Sequence, residues 1–306
     1  MSFEVTILGS RSALPIKNHF PTAQVLHVQE RLFLIDCGEG AQMQLLRAEL
    51  SLLRIQAVFI SHLHGDHLFG LFGLLSTMSM LGRKSKLPIY APPPMENVLR
   101  DHLYYFGDGM TYQPVVHHIP TDSPVSIYED KAMTVHTVPL RHRVPTSGFL
   151  FREKTPSRNV HKHLIAQHQL SVNEIVQLKN GMDITRPDGE LLKNETMTYL
   201  PYTPCAYAYC SDTQFSEDVI EQVRGVDLLY HEATFQSDRT ELARQTMHAT
   251  AADAATVAKQ AAVKKLLIGH FSSRYPSSDG FLHEAQAIFP NTEIGQELET
   301  YHILSL

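Results

Sequence analysis

The stretch SHLHGDHLFG begins at Ser61, directly after the apolar run AVFI, and sets His62, His64, Asp66 and His67 within six positions. A short apolar run of this kind reads as a buried strand. A strand that empties into four ligand-type side chains has to end where they can converge. Alternation along extended chain puts His62 and His64 on one side, and the turn that follows brings Asp66 and His67 toward them from the start of a helix. Imidazole nitrogen and carboxylate oxygen are ligands that zinc prefers, and four such groups at this density can hold two metals.

Around that stretch, short apolar runs alternate with helical patterns. FEVTIL, QVLHV and RLFLID form an antiparallel start, with Gln29 and Glu30 as a tight connection. Helix-like GAQMQLLRAEL, strand-like AVFIS, helix-like LFGLFGLLSTM, strand-like PIYA and helix-like MENVLRDHLYYF follow. The theme then repeats with AMTVHTV, GFLFRE, AYAYCSD, a helix over residues 216–223, DLLYHEA, an alanine-rich helix near residues 250–262, and KLLIGH. This is an α/β chain. Residues 154–202 interrupt the alternation: they are polar, with turn signals at Asn180-Gly181 and Pro187-Asp188-Gly189 and a short helix near residues 172–178.

The 306 residues suffice for one large domain or two ordinary ones. Three irregularly spaced cysteines, Cys37, Cys205 and Cys210, argue against a disulfide framework and for reduced thiols in the cytoplasm. MSFEVTILGS carries no export pattern. Residues 68–81, LFGLFGLLSTMSML, fall short of the roughly 20 that a membrane-spanning helix needs and predict a buried helix, so no membrane partner is expected. The net charge of −6 excludes a uniformly basic nucleic-acid binder, yet it conceals a patch. Over residues 141–163, six Lys or Arg face Glu153 alone, a local +5.

More ligands come from the ends of later runs. His142 follows TVHTVPLR, Asp212 follows AYAYCS and His270 follows KLLIG, each where an α/β sheet gathers functional groups at one rim.

At these residues the chain resembles the metallo-β-lactamase superfamily and, within it, the ribonuclease Z family of tRNA 3′-processing endonucleases. FLIDCGEGAQMQLLR, SHLHGDHLFGLFGLLSTMSMLGR, HRVPTSGFLF, YCSDT, YHEATF, HATAADAA and GHFSSRY match that family in order. The resemblance implies a four-layer αβ/βα sandwich forming a single domain over residues 1–306, with 154–202 an inserted polar arm that grips tRNA. It implies two Zn2+ ions per subunit. His62, His64 and His142 would bind one, Asp66, His67 and His270 the other, with Asp212 bridging. Asp66 would orient or deprotonate the attacking water, and His248 paired with Glu232 would protonate the leaving ribose oxygen. Lys17, Asn18, Ser273 and Arg274 resemble residues that touch the substrate.

The implied reaction is removal of the 3′ trailer from precursor tRNA by a cytoplasmic homodimer. The arm lacks the family's usual Gly-Pro pair, GSRSALP is less glycine-rich than the family's loop, and HAT stands for HST. Those departures keep two other readings open. One is a binuclear zinc phosphodiesterase or arylsulfatase-like esterase on small substrates, and the other a non-catalytic tRNA-binding protein.

Overall fold

Strands Arg31–Cys37 and Ala206–Cys210 are buried at nearly every position, on both faces. That pattern requires cover on each side of a sheet. In the computed structural model, which describes residues 3–303, the cover is a second sheet on one face and helices on the other. One seven-stranded sheet has the order Thr300–His302, Phe3–Gly9, Ala23–Val28, Arg31–Cys37, Ile55–Phe59, Leu87–Ala91, Pro114–His118. The other runs Thr292–Ile294, Lys265–Gly269, Leu228–Glu232, Ala206–Cys210, Thr146–Glu153, Met133–Leu140, Ser126–Glu129. Aromatic rings fill the space between them: Phe59 lies 5.4 Å from Phe149 and 5.3 Å from Phe151, centroid to centroid. This is the expected four-layer αβ/βα sandwich.

The antiparallel start pairs Val28 with Arg31 across a turn in which Gln29 adopts φ 56°. From Arg31–Cys37 onward the first sheet is parallel, so its strand ends share one rim. In the second sheet Ala206–Cys210, Leu228–Glu232 and Lys265–Gly269 are also mutually parallel. Both sets of C-terminal ends carry the ligand-type residues.

Helices Ala41–Arg47, Gly70–Met80 and Met95–Phe106 cover the first sheet. Glu217–Gln222, Ala251–Gln260 and Asp279–Ile288 cover the second. Two expectations need correction. The strand before the histidines stops at Phe59, so His62 and His64 lie on extended loop rather than on the ladder. The apolar stretch 68–81 is buried on one side only: Leu71, Leu74, Leu75 and Met78 face the sheet, while Phe69, Met80 and Leu81 face outward. Ser76, Thr77 and Ser79 are the only polar side chains in that helix, too few among its apolar ones to mark plainly which side packs.

The polar excursion is ordered. Helix Val172–Lys179 begins with a capping box, Ser171 and Glu174 exchanging side-chain and backbone hydrogen bonds. Two short ribbons, Asn159–Val160 with Thr198–Tyr199 and Ile184–Thr185 with Leu191–Leu192, frame a separate small core of Val160, Leu170, Leu178, Ile184, Leu192 and Met197. Arg186 ties it together through Glu174, Glu190 and the carbonyl of His168.

Candidate metal centre

Seven side chains named from the sequence converge at the rim. His62, His64, His142 and Asp212 offer ligand atoms that all lie within 4.8 Å of one another, as do Asp66, His67 and His270. Asp212 faces both groups. Its Oδ2 lies 3.6 Å from His62 Nε2 and 3.8 Å from His142 Nε2, and its Oδ1 lies 3.3 Å from His67 Nε2 and 3.2 Å from His270 Nε2. A carboxylate with one oxygen toward each set is placed to bridge two cations.

The second hydrogen bond of each imidazole determines which nitrogen is free. His67 Nδ1 donates to Asp36 Oδ2 at 2.7 Å, and His142 Nδ1 donates to the carbonyl of Met247 at 2.9 Å. Both acceptors can only accept. Thr234 Oγ1 gives its single proton to Glu232 Oε2 at 2.6 Å and therefore accepts from His270 Nδ1 at 2.8 Å. Ser61 Oγ, donating to Asp36 Oδ2, likewise accepts from His62 Nδ1 at 3.0 Å. All four rings thus turn a bare Nε2 toward the cluster.

Among the buried polar atoms without a hydrogen-bond partner are Nε2 of His67 and of His142. His64 presents Nδ1 instead, 2.9 Å from the bare Nε2 of His62. Two such nitrogens in contact need a cation or a proton between them. The donor set fits zinc.

Burial pushes His62, His64 and His142 toward the neutral form that offers a lone pair. His67 goes the other way: burial lowers its proton affinity, but Asp212, Asp66 and Asp36 around it outweigh that and raise it well above the ordinary value. Burial likewise opposes ionisation of Asp66 and Asp212, and the imidazoles overcome it. Carboxylates enclosed in this way call for positive charge, which a divalent cation supplies.

Three of the nine left-handed non-glycine residues among those described lie at the same place. Asp36, Met247 and His270 all have left-handed backbone, with φ of 54°, 56° and 62°. The first and second of these hold His67 and His142 from behind. Close approach fixes the turn as well: a Cβ at Gly70 would stand 2.1 Å from the carbonyl oxygen of Gly38. That contact seats the helix after HLHGDH on the DCGEG loop.

Glu232 is fully buried at the end of its strand. It accepts from Thr213 N, Thr234 N and Thr234 Oγ1, and from His248 Nδ1 at 2.8 Å. Burial lowers the proton affinity of His248, but the Glu232 charge and hydrogen bond prevail and push its pKa up to about 9. His248 also lies close enough to Asp212 and His270 to be counted with them as a possible ligand. In the HAT segment the next residue, Ala249, is buried and takes part through its carbonyl, which accepts from Phe235 N. Thr250 caps helix Ala251–Gln260 in a capping box with Asp253.

A cavity of about 400 Å³ opens over the cluster, lined by Ser12, His64, Asp66, Arg143, His248 and Arg274 among others. Ser273 lines it too. Asn18 lines a neighbouring cavity instead, and Lys17 is exposed on the loop without lining the metal cavity. Sequence reasoning left out Arg143 at the mouth, Asp36, Ser61 and Thr234. The acid within the apolar run LFLIDC was the available signal for Asp36.

The chain is similar along nearly its whole length to ribonuclease Z of Phocaeicola vulgatus, 48% identical over 96% of each chain. Ribonuclease Z of Bacteroides fragilis is 46% identical over 96% of this chain and 97% of its own. The crystal structure of the short form of human tRNase Z superposes with a TM-score of 0.73 at 25% identity, covering 99% of this chain and 100% of that one. The family model described as anti-Pycsar protein Apyc1 matches residues 3–155, half of the 306.

Proposed function

The chain belongs to the ribonuclease Z family, and from that premise we propose that it removes the 3′ trailer from precursor tRNA, leaving a 3′-hydroxyl on the tRNA and a 5′-phosphate on the trailer. It is a metal-dependent hydrolase with ribonuclease Z-like endonuclease chemistry. The observation that carries the substrate reading is the joining of the two-lobed ligand cluster to the Glu232–His248 pair in one cavity, within a chain alike end to end to these nucleases.

In this reading His62, His64 and His142 would hold one Zn2+, Asp66, His67 and His270 the other, and Asp212 would serve both. When bound, the pair supplies acidified water and a polarised phosphoryl oxygen. Asp66 would orient the attacking water or accept its proton. The water oxygen bonds to phosphorus while the bond from phosphorus to the ribose 3′ oxygen breaks. His248, kept charged by Glu232, gives that leaving oxygen a proton. Arg143, Ser273 and Arg274 at the mouth hold the flanking phosphates and terminal nucleotide, and Lys17 and Asn18 approach the RNA from the loop.

The fold is one domain over residues 1–306, with the arm 154–202 as an RNA exosite. Its own small core supports that role, since it can present the cations around Arg158 and Lys162 on a fixed frame without a Gly-Pro pair. We assign the active form as a homodimer. The outward face of helices Gly70–Met80 and Met95–Phe106 supports this, with Met80 and Tyr104 each 80% exposed beside Leu81, Tyr105 and Phe106. Among the described residues no helix is long and apolar enough to cross a membrane. The three free cysteines, all buried, accord with a cytoplasmic location.

The deciding experiment is cleavage of an end-labelled precursor tRNA with the cut mapped, with and without chelator. A cut at the trailer junction that chelation abolishes is expected. Hydrolysis of bis(p-nitrophenyl) phosphate with the precursor left intact would replace this assignment by the small-phosphodiester reading.

A further inference from the structure

Behind the metal cavity lies a second one of about 360 Å³, with no lining residue in common with the first. The wall between them is one short ladder: Phe271 N donates to the carbonyl of Ser10 at 3.0 Å and Ser12 N to that of Phe271 at 3.3 Å. Ser12, His270 and Ser272 line the metal side, while Arg11 and Phe271 line the other. Ser10 lines the Arg11 side as well.

Arg11 is anomalous for a buried cation. It is only 9% exposed, its Nη1 has no partner, and among the described residues its guanidinium makes no hydrogen bond or ion pair. Its backbone is fixed through Phe20 and by bridges to Pro21 and Phe271, and its guanidinium carbon lies 5.8 Å from the centre of the Phe271 ring. Arg83, equally buried, shows the ordinary solution, donating to the carbonyls of Ser85, Ile55 and Lys86. A buried charge without a partner is costly unless something neutralises it.

Arg47 enters the same cavity with its carbon 5.4 Å from the centre of the Phe20 ring, and among the described residues it hydrogen-bonds only to Gln44 and has no ion pair. The acid facing them, Glu297, is occupied by Phe20 N at 3.1 Å and His19 Nδ1 at 3.3 Å. Two guanidiniums against one engaged carboxylate leave an excess of positive charge. Asn18 and Gln296 add side-chain amides, and the volume falls within the roughly 300–1,000 Å³ of small-ligand pockets.

We propose that this cavity is a second, non-catalytic site for a phosphomonoester of nucleotide size, with the phosphate held by Arg11 and Arg47 and the remainder contacted by Asn18 and Gln296. The ligand is either a free mononucleotide or the phosphorylated end of an RNA strand, which share this chemistry. Because the ladder is common to both cavities, occupancy also braces the Ser12 wall of the metal cavity. The site does not depend on the precursor-tRNA assignment.

The test is equilibrium dialysis of the zinc-loaded protein with labelled uridine 5′-monophosphate, repeated after chelation to remove any binding at the metals. Binding that survives chelation and weakens at least tenfold in both Arg11→Met and Arg47→Gln is expected. Arg11→Met should also melt no lower than wild type, since it removes an uncompensated buried charge; a merely structural arginine would lower the melting point. Arg47 is at the surface, so its variant reads the site whether or not the Arg11 variant folds. Competition by a 5′-phosphorylated tetranucleotide identifies an RNA end as the source, and its exclusion identifies a free nucleotide. No binding after chelation, or binding that neither variant alters, overturns the proposal.

Discussion

Replacing Asp36 by Asn exchanges one oxygen for an NH2 group and should selectively disable one metal site. Asp36 is fully buried and accepts from Ser61 N at 2.7 Å, Ser61 Oγ at 2.8 Å, His67 Nδ1 at 2.7 Å and Tyr209 Oη at 2.6 Å. The amide oxygen can keep Ser61 N, which leaves the NH2 facing three donors. The hydroxyls can rotate and accept. His67 can accept only by moving its proton to Nε2, the atom that faces Asp66 and Asp212. A protonated Nε2 cannot ligate.

Loss of such an outer partner typically weakens a metal by about 10- to 100-fold, or roughly 1.4–2.7 kcal/mol. Two charge-assisted hydrogen bonds are also lost, at about 1.5–3 kcal/mol each, offset in part because a buried charge is removed. A net loss of about 2 kcal/mol, some degrees of melting temperature, is expected for the metal-free protein. Zinc titration against a competing chelator should show the Asp66–His67–His270 site weakened by that factor and the other near wild type. Two wild-type sites in Asp36→Asn, or equal weakening of both, would refute the tautomer argument.

His248→Ala should lower turnover by about 10²- to 10⁴-fold with zinc content unchanged; a lost zinc would make His248 a ligand instead of the acid. Asp212→Ala should weaken both metals together, measured by metal analysis after dialysis, because each oxygen faces a different set. Selective loss of one metal would rule out a bridge. Replacing residues 154–202 by a short Gly-Ser linker should leave bis(p-nitrophenyl) phosphate turnover within about threefold and raise the KM for precursor tRNA at least about tenfold, since phosphate contacts supply most RNA affinity. Equal loss on both substrates would show that the arm supports the core rather than the RNA.

Local sequence determined much of this protein. HLHGDH announced a metal centre because an extended segment, a turn and a helix start need only neighbouring residues to bring four ligands together. His142, Asp212 and His270 were legible as the ends of apolar runs, since parallel strands deliver their C-termini to one rim. The alternation of runs likewise showed an α/β layered fold. Where residues 68–81 packed was not plain, because apolar residues fall on both faces of that helix and outnumber Ser76, Thr77 and Ser79.

Tertiary structure alone decided which nitrogen of each ring is free. Asp36 meets His67 across 31 positions, Thr234 meets His270 across 36, and Met247 meets His142 across 105. Periodicity and spacing describe neighbours, whereas these hydrogen bonds form only when segments distant in the chain come side by side at the rim. The same is true of Arg11: its sequence position shows a cation, and only the fold shows that among the described residues its guanidinium has no hydrogen bond or ion pair.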